Sequence, residues 1–292
     1  MKLLCVHAHF DDFEFVAGGT FELWRRRFGP KLRTKLIVCT DGCAGHQFRT
    51  REETGRMRLA EQLAAARLGG HEFELLRLPD GRTPREGCLN ATPDVLAGLW
   101  RAIREFEPDY LFCPPLAADP LAGVHVDHLG VAEAVRKVAY LLNVPHAYTP
   151  EYPVADESRS EPCRTPVIIN VYDGYQGGDG GSDLGVDVGA AFDLIAEMSW
   201  CHQSQIREWL PWVGRHDLSA PADLPAWKET LRQRMRKTAR GQGVTADGLF
   251  EFFNVTAWGT APTLEQLEKD FPNLARGASN YIRLRQRLAR WA

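Results

Sequence analysis

The sequence predicts an α/β protein with three αβα layers: a Rossmann-like, mostly parallel sheet with helices on both faces and a smaller C-terminal extension. Three observations predict this class. Short apolar runs alternate with segments of helical periodicity through the first half of the chain, which is typical of consecutive βαβ units. The first run, at 2–6, is continuously apolar after its lysine, as expected for a strand buried on both faces. The length of 292 residues is enough for one large core with an appendage.

Four strand–helix pairs are predicted in the first half of the chain. The strands are expected at 2–6, 34–40, 72–78 and 109–115, and the helices at 14–27, 50–69, 93–106 and 127–142. Short connections and right-handed crossovers would place the carboxyl ends of these strands along one edge of the sheet. Open α/β sheets usually bind their ligands at that edge. Residues that follow the strands are therefore the first candidates for a functional site.

The second half of the chain has a different pattern. Prolines and glycines in 143–185 predict long loops around one strand at 166–172, and such loops often form binding loops or lids. Beyond them we expect a helix at 188–207, a basic helix with a solvated charged face at 225–240, a strand at 249–258 and surface helices from residue 263. Trp200, Trp209 and Trp212 are candidates either for stacking against a sugar or for the core.

The composition argues against several classes of protein. The formal net charge of -3 disfavours nucleic acid as an electrostatic partner. No apolar run reaches the length of about 18 residues that a membrane span needs, and the first residues lack the long apolar stretch of a signal peptide. The seven scattered cysteines are more typical of reduced thiols than of a disulfide framework. We therefore expect a cytoplasmic protein.

Histidines and aspartates follow two of the predicted strands. His9 and Asp12 lie in "VHAHFDDFEFVAGG" (6–19), after the first strand, and "HVDH" (125–128) opens the helix after the fourth. Two histidines and one carboxylate form the ligand set of catalytic zinc hydrolases. Each residue also has a purely structural alternative, such as a helix N-cap for Asp12 or a core hydrogen bond for His9. Because both groups are expected at one sheet edge, the sequence predicts a metal site.

These stretches resemble the PIG-L/LmbE-like family of zinc-dependent N-acetylglucosaminyl deacetylases. The family's Ala-His-Pro-Asp-Asp-x-Glu motif, followed by Gly-Gly-Thr, stands here as "AHFDDFEFVAGGT" (8–20), and its His-Pro-Asp-His motif as "HVDH". Further similar segments are "TDG" (40–42), "RLAEQLAAARLGG" (58–70), "LRLPDG" (76–81), "VDVGAAFDLIAEMSWCHQSQ" (186–205) and "LFEFF" (249–253). Phe10 and Val126 replace the family's prolines, which puts the substrate in question but removes no ligand or proton carrier.

The resemblance implies roles for individual residues. Zn²⁺, with Fe²⁺ left open, would be held by His9, Asp12 and His128. Asp11 would be the general base that takes a proton from water, since its side chain diverges from that of its neighbour. His125, in its charged form, would stabilise the oxyanion or protonate the leaving amine, and Asp127 would orient one of the histidines.

Two further residues match family positions that contact the substrate. Arg58 and Asp80 would bind the sugar hydroxyls or an attached anionic group. The structural alternative for Arg58 is a helical ion pair with Glu61, and for Asp80 a role in a turn. The resemblance also suggests a deacetylase domain over 1–260, with 143–185 as the rim of its pocket. Residues 261–292 would form a helical extension packed on the same domain.

The expected function is removal of an N-acetyl group from an N-acetylglucosamine-containing substrate by zinc-activated water. An amidase of the same fold that acts on a non-acetyl or non-sugar amide is the alternative, as is a non-catalytic sugar- or metal-binding protein. A nucleotide-dependent Rossmann enzyme is disfavoured because the first strand–helix turn has no G-x-G-x-x-G. The expected partner is a small-molecule amino-sugar conjugate, and a homo-oligomer is left open.

Overall fold

A computed structural model describes residues 1–121, 123–152, 163–175, 181–215 and 218–291. Seven strands form one sheet within these residues, in the spatial order β3-β2-β1-β4-β5-β7-β6. The strands are β1 (Lys2–His7), β2 (Arg33–Val38), β3 (Glu72–Leu75), β4 (Tyr110–Cys113), β5 (Val167–Val171), β6 (Leu184–Asp187) and β7 (Phe250–Val255). The first five strands pair in parallel, and β7 runs antiparallel to both of its neighbours.

The helices of the described residues cover both faces of this sheet. They are α1 (Asp12–Val16), α2 (Gly18–Phe28), α3 (Arg51–Gly69), α4 (Pro93–Phe106), α5 (Val126–Leu141), α6 (Phe192–Trp200), α7 (Leu210–Val213), α8 (Leu224–Gly241), α9 (Leu264–Asp270) and α10 (Tyr281–Trp291). A π-helical segment, Ser204–Trp209, precedes α7. In the part of the chain that the structure describes, no helix is both long and apolar enough to cross a bilayer.

The alternation of side chains along β1 explains the layers. Leu3 and Cys5 are buried in a core with residues of α2, whereas Leu4 and Val6 are buried in a second core with residues of α4 and α5. Successive side chains of a strand point to opposite faces of the sheet, so a continuously apolar strand needs helices on both sides. The predicted class, a three-layer α/β fold with a mostly parallel sheet, is confirmed.

The helix predicted at 14–27 is divided in two at Ala17, between α1 and α2. The carboxylate of Glu251, on β7, accepts hydrogen bonds from the backbone N–H groups of Gly19 and Thr20, both at 2.8 Å. These donors have no partner inside the first turn of a helix, and the helix dipole favours an anion there. A strand from the other end of the chain therefore determines where α2 begins.

The helix predicted at 188–207 ends earlier, at Trp200, and the chain continues into the π-helical segment. The loop-rich region 143–185 is described only in part, since 153–162 and 176–180 lie outside the described residues. Its described portion contains β5, as predicted at 166–172.

The segment after residue 260 packs on the same core as the sheet. Leu267 and Leu284, from α9 and α10, are fully buried in the core that contains β1. Arg287 of α10 donates a hydrogen bond at 2.6 Å to Asp183, which is completely buried immediately before β6. On this basis we propose that 261–292 is a helical extension of the domain formed by 1–260.

Replacing Arg287 by alanine is expected to lower the free energy of unfolding by about 2–3 kcal/mol, because it leaves the buried Asp183 carboxylate without its closest cation. This loss of free energy of unfolding is smaller than that expected for a fully buried ion pair, because 25% of the Arg287 side chain is exposed. Urea denaturation would measure it. Arg285→Ala, at an exposed position of the same helix, is the matched control. Equal denaturation midpoints for the two variants would show that this ion pair does not hold the extension.

Candidate metal centre

Three predicted ligands, His9, Asp12 and His128, converge at the carboxyl ends of β1 and β4. The Nδ1 atom of His9 lies 3.2 Å from Nε2 of His128 and 3.3 Å from Oδ2 of Asp12, while Oδ1 of Asp12 lies 3.5 Å from Nε2 of His128. Ligand atoms about 2.1 Å from a tetrahedral zinc ion would be about 3.4 Å apart. The spacing and the chemistry of these donors therefore fit a zinc-like ion.

The sheet topology explains this convergence. β1 and β4 are adjacent and parallel, so their carboxyl ends lie side by side. Asp12 opens α1 directly after β1, and His128 lies in the first turn of α5, which follows β4 in the chain. The placement of both polar clusters at one sheet edge follows from this pairing, as the sequence analysis expected.

Each ligand histidine is held by a carboxylate on the ring nitrogen that faces away from the cluster. Nε2 of His9 lies 3.0 Å from Oδ2 of Asp127, and Nδ1 of His128 lies 2.7 Å from Oδ2 of Asp173. Such contacts orient a metal-binding imidazole and select its tautomer. Asp127 thus makes the contact that the predicted orienting role requires. Asp173 was missed in the sequence, where it is one of three aspartates in the glycine-rich stretch 173–183.

Asp12 is held in a similar way. Its Oδ2 lies 2.6 Å from Nδ1 of His7 and accepts a hydrogen bond at 2.8 Å from the backbone N–H of His9. Two overlapping sets of described residues have ligand atoms within 4.8 Å of one another: His9, His125 and His128 form one, and His7, Asp12 and His128 form the other. His128 belongs to both sets, which marks it as the centre of the cluster.

Carboxylates dominate the electrostatics of the cluster. Burial lowers the pKa of His9, but the neighbouring Asp12 outweighs it and raises that pKa to about 9. The pKa of His128 is likewise raised to about 10, mainly by Asp12 and Asp173, against the effect of burial. These carboxylates make the position between the two rings favourable for positive charge.

Asp11 occupies an unusual backbone position beside the ligands. Its φ of 85° lies in the left-handed region, which costs a residue other than glycine about 1 kcal/mol. The backbone N–H of Asp11 donates to Oε1 of Gln62 at 3.2 Å, which holds this turn. The carboxylate lines the cavity and is 3.7 Å from the guanidinium of Arg58. Burial raises the pKa of Asp11 to about 7, although the charge of Arg58 opposes the shift.

His125 caps the N-terminus of α5. Its Nδ1 accepts a hydrogen bond at 3.3 Å from the backbone N–H of Asp127, so the proton of a neutral ring belongs on Nε2. Burial, followed by the charges of His9 and His128, lowers the pKa of His125 to about 4. This pKa favours the neutral imidazole, whereas the sequence predicts a role for the charged form; the role of His125 in the reaction stays a prediction.

The two predicted substrate-binding residues have different positions. Arg58 is buried (2% exposed) and lines the cavity, where its Nη1 donates to Oε1 of Glu86 at 2.8 Å rather than pairing with Glu61. Asp80 is not among the described residues that line the cavity. It accepts a hydrogen bond at 2.6 Å from Nε of Arg82 within an exposed turn, as in the structural alternative. The structure does not bring Asp80 to the cluster.

A cavity of about 450 Å³ opens above the cluster. Its walls away from the histidines combine charged side chains such as Glu251 with apolar ones, among them Phe15, Val16, Leu210, Leu231, Met235 and Phe252. Trp209 lines the cavity and stacks on the exposed Trp212, with ring centres 5.4 Å apart, whereas Trp200 packs against the core. Several other lining residues were missed by the sequence analysis: Glu86, Tyr175, Gln205 and Arg234. Glu86 and Tyr175 come from loops, Gln205 comes from the π-helical segment, and Arg234 comes from α8, a helix expected to present its charges to solvent.

Comparisons with known proteins agree with this architecture. The model of the PIG-L family, described as GlcNAc-PI de-N-acetylase, matches residues 4–139. No curated protein matches the sequence significantly.

Among solved structures, the N,N'-diacetylchitobiose deacetylase of Pyrococcus horikoshii is similar with a TM-score of 0.66 and 20% identity, over 88% of this chain and 84% of that one. The 4-carboxy-2-hydroxymuconate hydratase GalB of Pseudomonas putida KT2440 has a TM-score of 0.61 and 17% identity, over 90% and 99% of the two chains. The conserved protein TT1542 of Thermus thermophilus has a TM-score of 0.61 and 22% identity, over 88% and 95%. At these identities the likeness shows the fold alone.

Proposed function

Because residues 4–139 match the model of the PIG-L family, we propose that this chain is a metal-dependent hydrolase that removes the N-acetyl group of an N-acetylglucosamine-containing substrate. The observation that carries the proposal is the convergence of His9, Asp12 and His128. Nδ1 of His9 lies 3.2 Å from Nε2 of His128, and each of these two atoms lies within 3.5 Å of a carboxylate oxygen of Asp12. The carboxylate of Asp11 faces the same cavity. A cluster that only bound a metal would have no need of this additional base.

His9, Asp12 and His128 would hold the metal, for which we propose zinc. When bound, zinc supplies a Lewis acid that polarises a carbonyl and lowers the pKa of water. The carboxylates of Asp127 and Asp173 keep the two imidazole rings in the orientation that ligation requires.

Asp11 is the proposed general base. Among the described residues, none donates a hydrogen bond to its carboxylate, since Arg58 approaches only to 3.7 Å. The carboxylate is therefore available to accept a proton from the attacking water and to return it to the departing amine. Water adds to the amide carbon, the C–N bond breaks, and acetate and the free amine are released. With its proton on Nε2, the neutral His125 can donate a hydrogen bond to the carbonyl oxygen as negative charge develops there.

Amine release from a panel of N-acetylglucosaminides tests the proposal. The panel would include N-acetylglucosamine and N,N'-diacetylchitobiose, each assayed with and without a chelator and after re-addition of zinc or iron(II). We expect amine and acetate to appear in equal amounts, to stop with the chelator and to resume with the metal. Release that persists in the metal-free protein would overturn the proposal.

The negative result would also be informative. No release from any sugar, despite stoichiometric bound metal, would favour an amidase for a non-acetyl or non-sugar amide, or a protein that binds without turnover. A hydratase shares this fold, so the fold by itself does not determine the reaction. The cytoplasmic location expected from the sequence remains a prediction.

A further inference from the structure

The peptide bond between Phe10 and Asp11 is held at both edges by side chains of one helix. Nη2 of Arg58 donates a hydrogen bond at 3.0 Å to the carbonyl oxygen of Phe10, and Oε1 of Gln62 accepts one at 3.2 Å from the backbone N–H of Asp11. Arg58 and Gln62 are buried and lie four residues apart, one turn after the other on the same face of α3. The C=O and N–H groups of a planar trans peptide point in opposite directions. The two contacts therefore restrain one rigid plane from both sides.

This restraint acts on the unusual torsion of the turn. Rotation of the peptide plane would change ψ of Phe10 and φ of Asp11, and the φ of Asp11 is 85°. A residue other than glycine keeps such a conformation only where the surrounding structure enforces it. Because φ of Asp11 sets the direction in which its side chain leaves the backbone, α3 determines where the carboxylate points.

Phe10 makes a restraint from another segment necessary. Proline, which the family motif has at this position, would fix φ through its ring, whereas phenylalanine leaves that torsion free. The Phe10 ring is completely buried against Gly42, where a Cβ would overlap it. The guanidinium carbon of Arg58 also lies 5.6 Å from the centre of this ring. Packing and hydrogen bonds from distant segments thus replace the local stiffness of a proline.

Glu14 fixes the orientation of the Gln62 amide. Nε2 of Gln62 donates a hydrogen bond at 2.9 Å to Oε1 of Glu14, and both side chains are completely buried. Since the backbone N–H of Asp11 can only donate, the amide oxygen of Gln62 belongs on the Asp11 side and its nitrogen on the Glu14 side. Neither Gln62 nor Glu14 is among the described residues that line the cavity. Any effect of this pair on a reaction in the cavity must therefore pass through the turn.

We propose that Gln62, oriented by Glu14, is a positioning residue for Asp11, because it fixes the peptide plane that directs the Asp11 carboxylate into the cavity. Arg58 contributes to the same restraint through Phe10. Since Arg58 also lines the cavity, its replacement would combine positioning with substrate contact, whereas Gln62 tests positioning alone. The inference rests on the proposed function for the reaction that Asp11 assists, but not for the restraint itself.

Hydrogen exchange measures the restraint without any substrate. In protein containing ¹⁵N-labelled aspartate, the Asp11 amide is the resonance that Asp11→Asn lacks. Gln62→Met keeps the length of the side chain but loses the amide oxygen, so we expect the Asp11 amide to exchange at least about tenfold faster than in the wild type. Leu63→Met, at the exposed neighbouring position of α3, is the matched control and should keep the wild-type rate. Rapid exchange in the wild type would already exclude the restraint, whether or not the variant folds.

A double-mutant cycle on the metal-loaded enzyme tests the link to the reaction. Gln62→Met is expected to lower kcat about 10- to 100-fold with KM and metal content nearly unchanged, because a small displacement of a reacting group is enough for such a loss. In the Asp11→Asn background the same replacement should change kcat less than about twofold, since the group that Gln62 positions is already gone. A general folding defect would lower kcat equally in both backgrounds.

Exchange of the two buried side chains provides a rescue. Gln62→Glu combined with Glu14→Gln again places an acceptor oxygen beside the Asp11 N–H and one amide donor between the two side chains, with no change in total charge. We expect this protein to recover most of the slow exchange and most of the kcat that Gln62→Met loses. Recovery would assign the effect to the hydrogen bonds, because both side chains have been replaced.

Three outcomes would overturn the positioning role. They are equal Asp11 exchange rates in the wild type and Gln62→Met, an equal loss of kcat in the wild-type and Asp11→Asn backgrounds, and an exchanged pair that behaves like Gln62→Met. The restraint and the proposed function can fail separately. An Asp11 amide protected by Gln62 in a protein that releases no amine would retain the restraint and reject the deacetylase. Amine release that Gln62→Met leaves unchanged would do the reverse.

Discussion

Replacing His128 by alanine is expected to abolish metal binding and reduce amine release to the level of the chelated protein. Nε2 of His128 lies within 3.5 Å of the ligand atoms of both His9 and Asp12. Loss of this imidazole therefore removes one of the three proposed ligands. The remaining two ligands cannot complete the three-residue set that catalytic zinc sites use. Elemental analysis of the purified variant measures metal per chain, independently of any substrate.

Asp173→Asn provides a graded comparison for this experiment. Asp173 contacts Nδ1 of His128 at 2.7 Å and is not a proposed ligand, so its replacement should weaken metal affinity or activity only about 10- to 100-fold. A His128→Ala protein that keeps a full complement of metal would show that the centre is built on other residues, such as His7 or His125.

Replacing Asp11 by asparagine is expected to lower kcat by about 10²- to 10⁴-fold while metal content stays at the wild-type level. Asparagine has nearly the same shape but cannot accept a proton from water. It also tolerates the left-handed conformation at φ 85°, so the turn between β1 and α1 is kept. Alanine would add backbone strain to the loss of the carboxylate, and its effect would be harder to assign.

Steady-state kinetics and metal analysis on the same preparation would settle the role of Asp11. Loss of metal together with activity would make Asp11 a ligand or a support of the ligands. Activity close to that of the wild type would place the general base elsewhere in the cavity. Gln62→Ala is a useful companion, because it removes the side chain that holds the Asp11 backbone and leaves the carboxylate in place.

The order of strands and helices in the first half of the chain could be predicted from the sequence, because apolar periodicity is a property of neighbouring residues. The helix at 50–69 also carries a local start signal, in which Thr50 and Glu53 form a capping box. The metal ligands could be predicted from the sequence for a related reason. His9 and Asp12 lie in one short motif and His128 in another, and adjacent parallel strands bring the ends of such motifs together.

Other features depend on residues that are distant in the chain. The break between α1 and α2 is one example. A Cβ at Gly19 would lie 2.6 Å from Ile195, and the carboxylate of Glu251 accepts a hydrogen bond from the backbone N–H of Gly19. The resemblance suggested a substrate contact for Asp80, whereas the fold keeps it in an exposed turn with Arg82. A short motif cannot show whether its residues reach the cavity or stay at the surface, because it does not show which other segments pack against it.

The sequence by itself thus determined the αβα class and the candidate metal ligands, since both arise from local patterns. The tertiary structure alone decided that Asp173 contacts His128, that Arg58 pairs with Glu86 and that Asp80 stays away from the cluster. Asp80 and Asp173 lie in separate loops, and their environments are set by what packs around them. Protonation and charge compensation depend on burial and on neighbouring charges, and these exist only once the chain has folded.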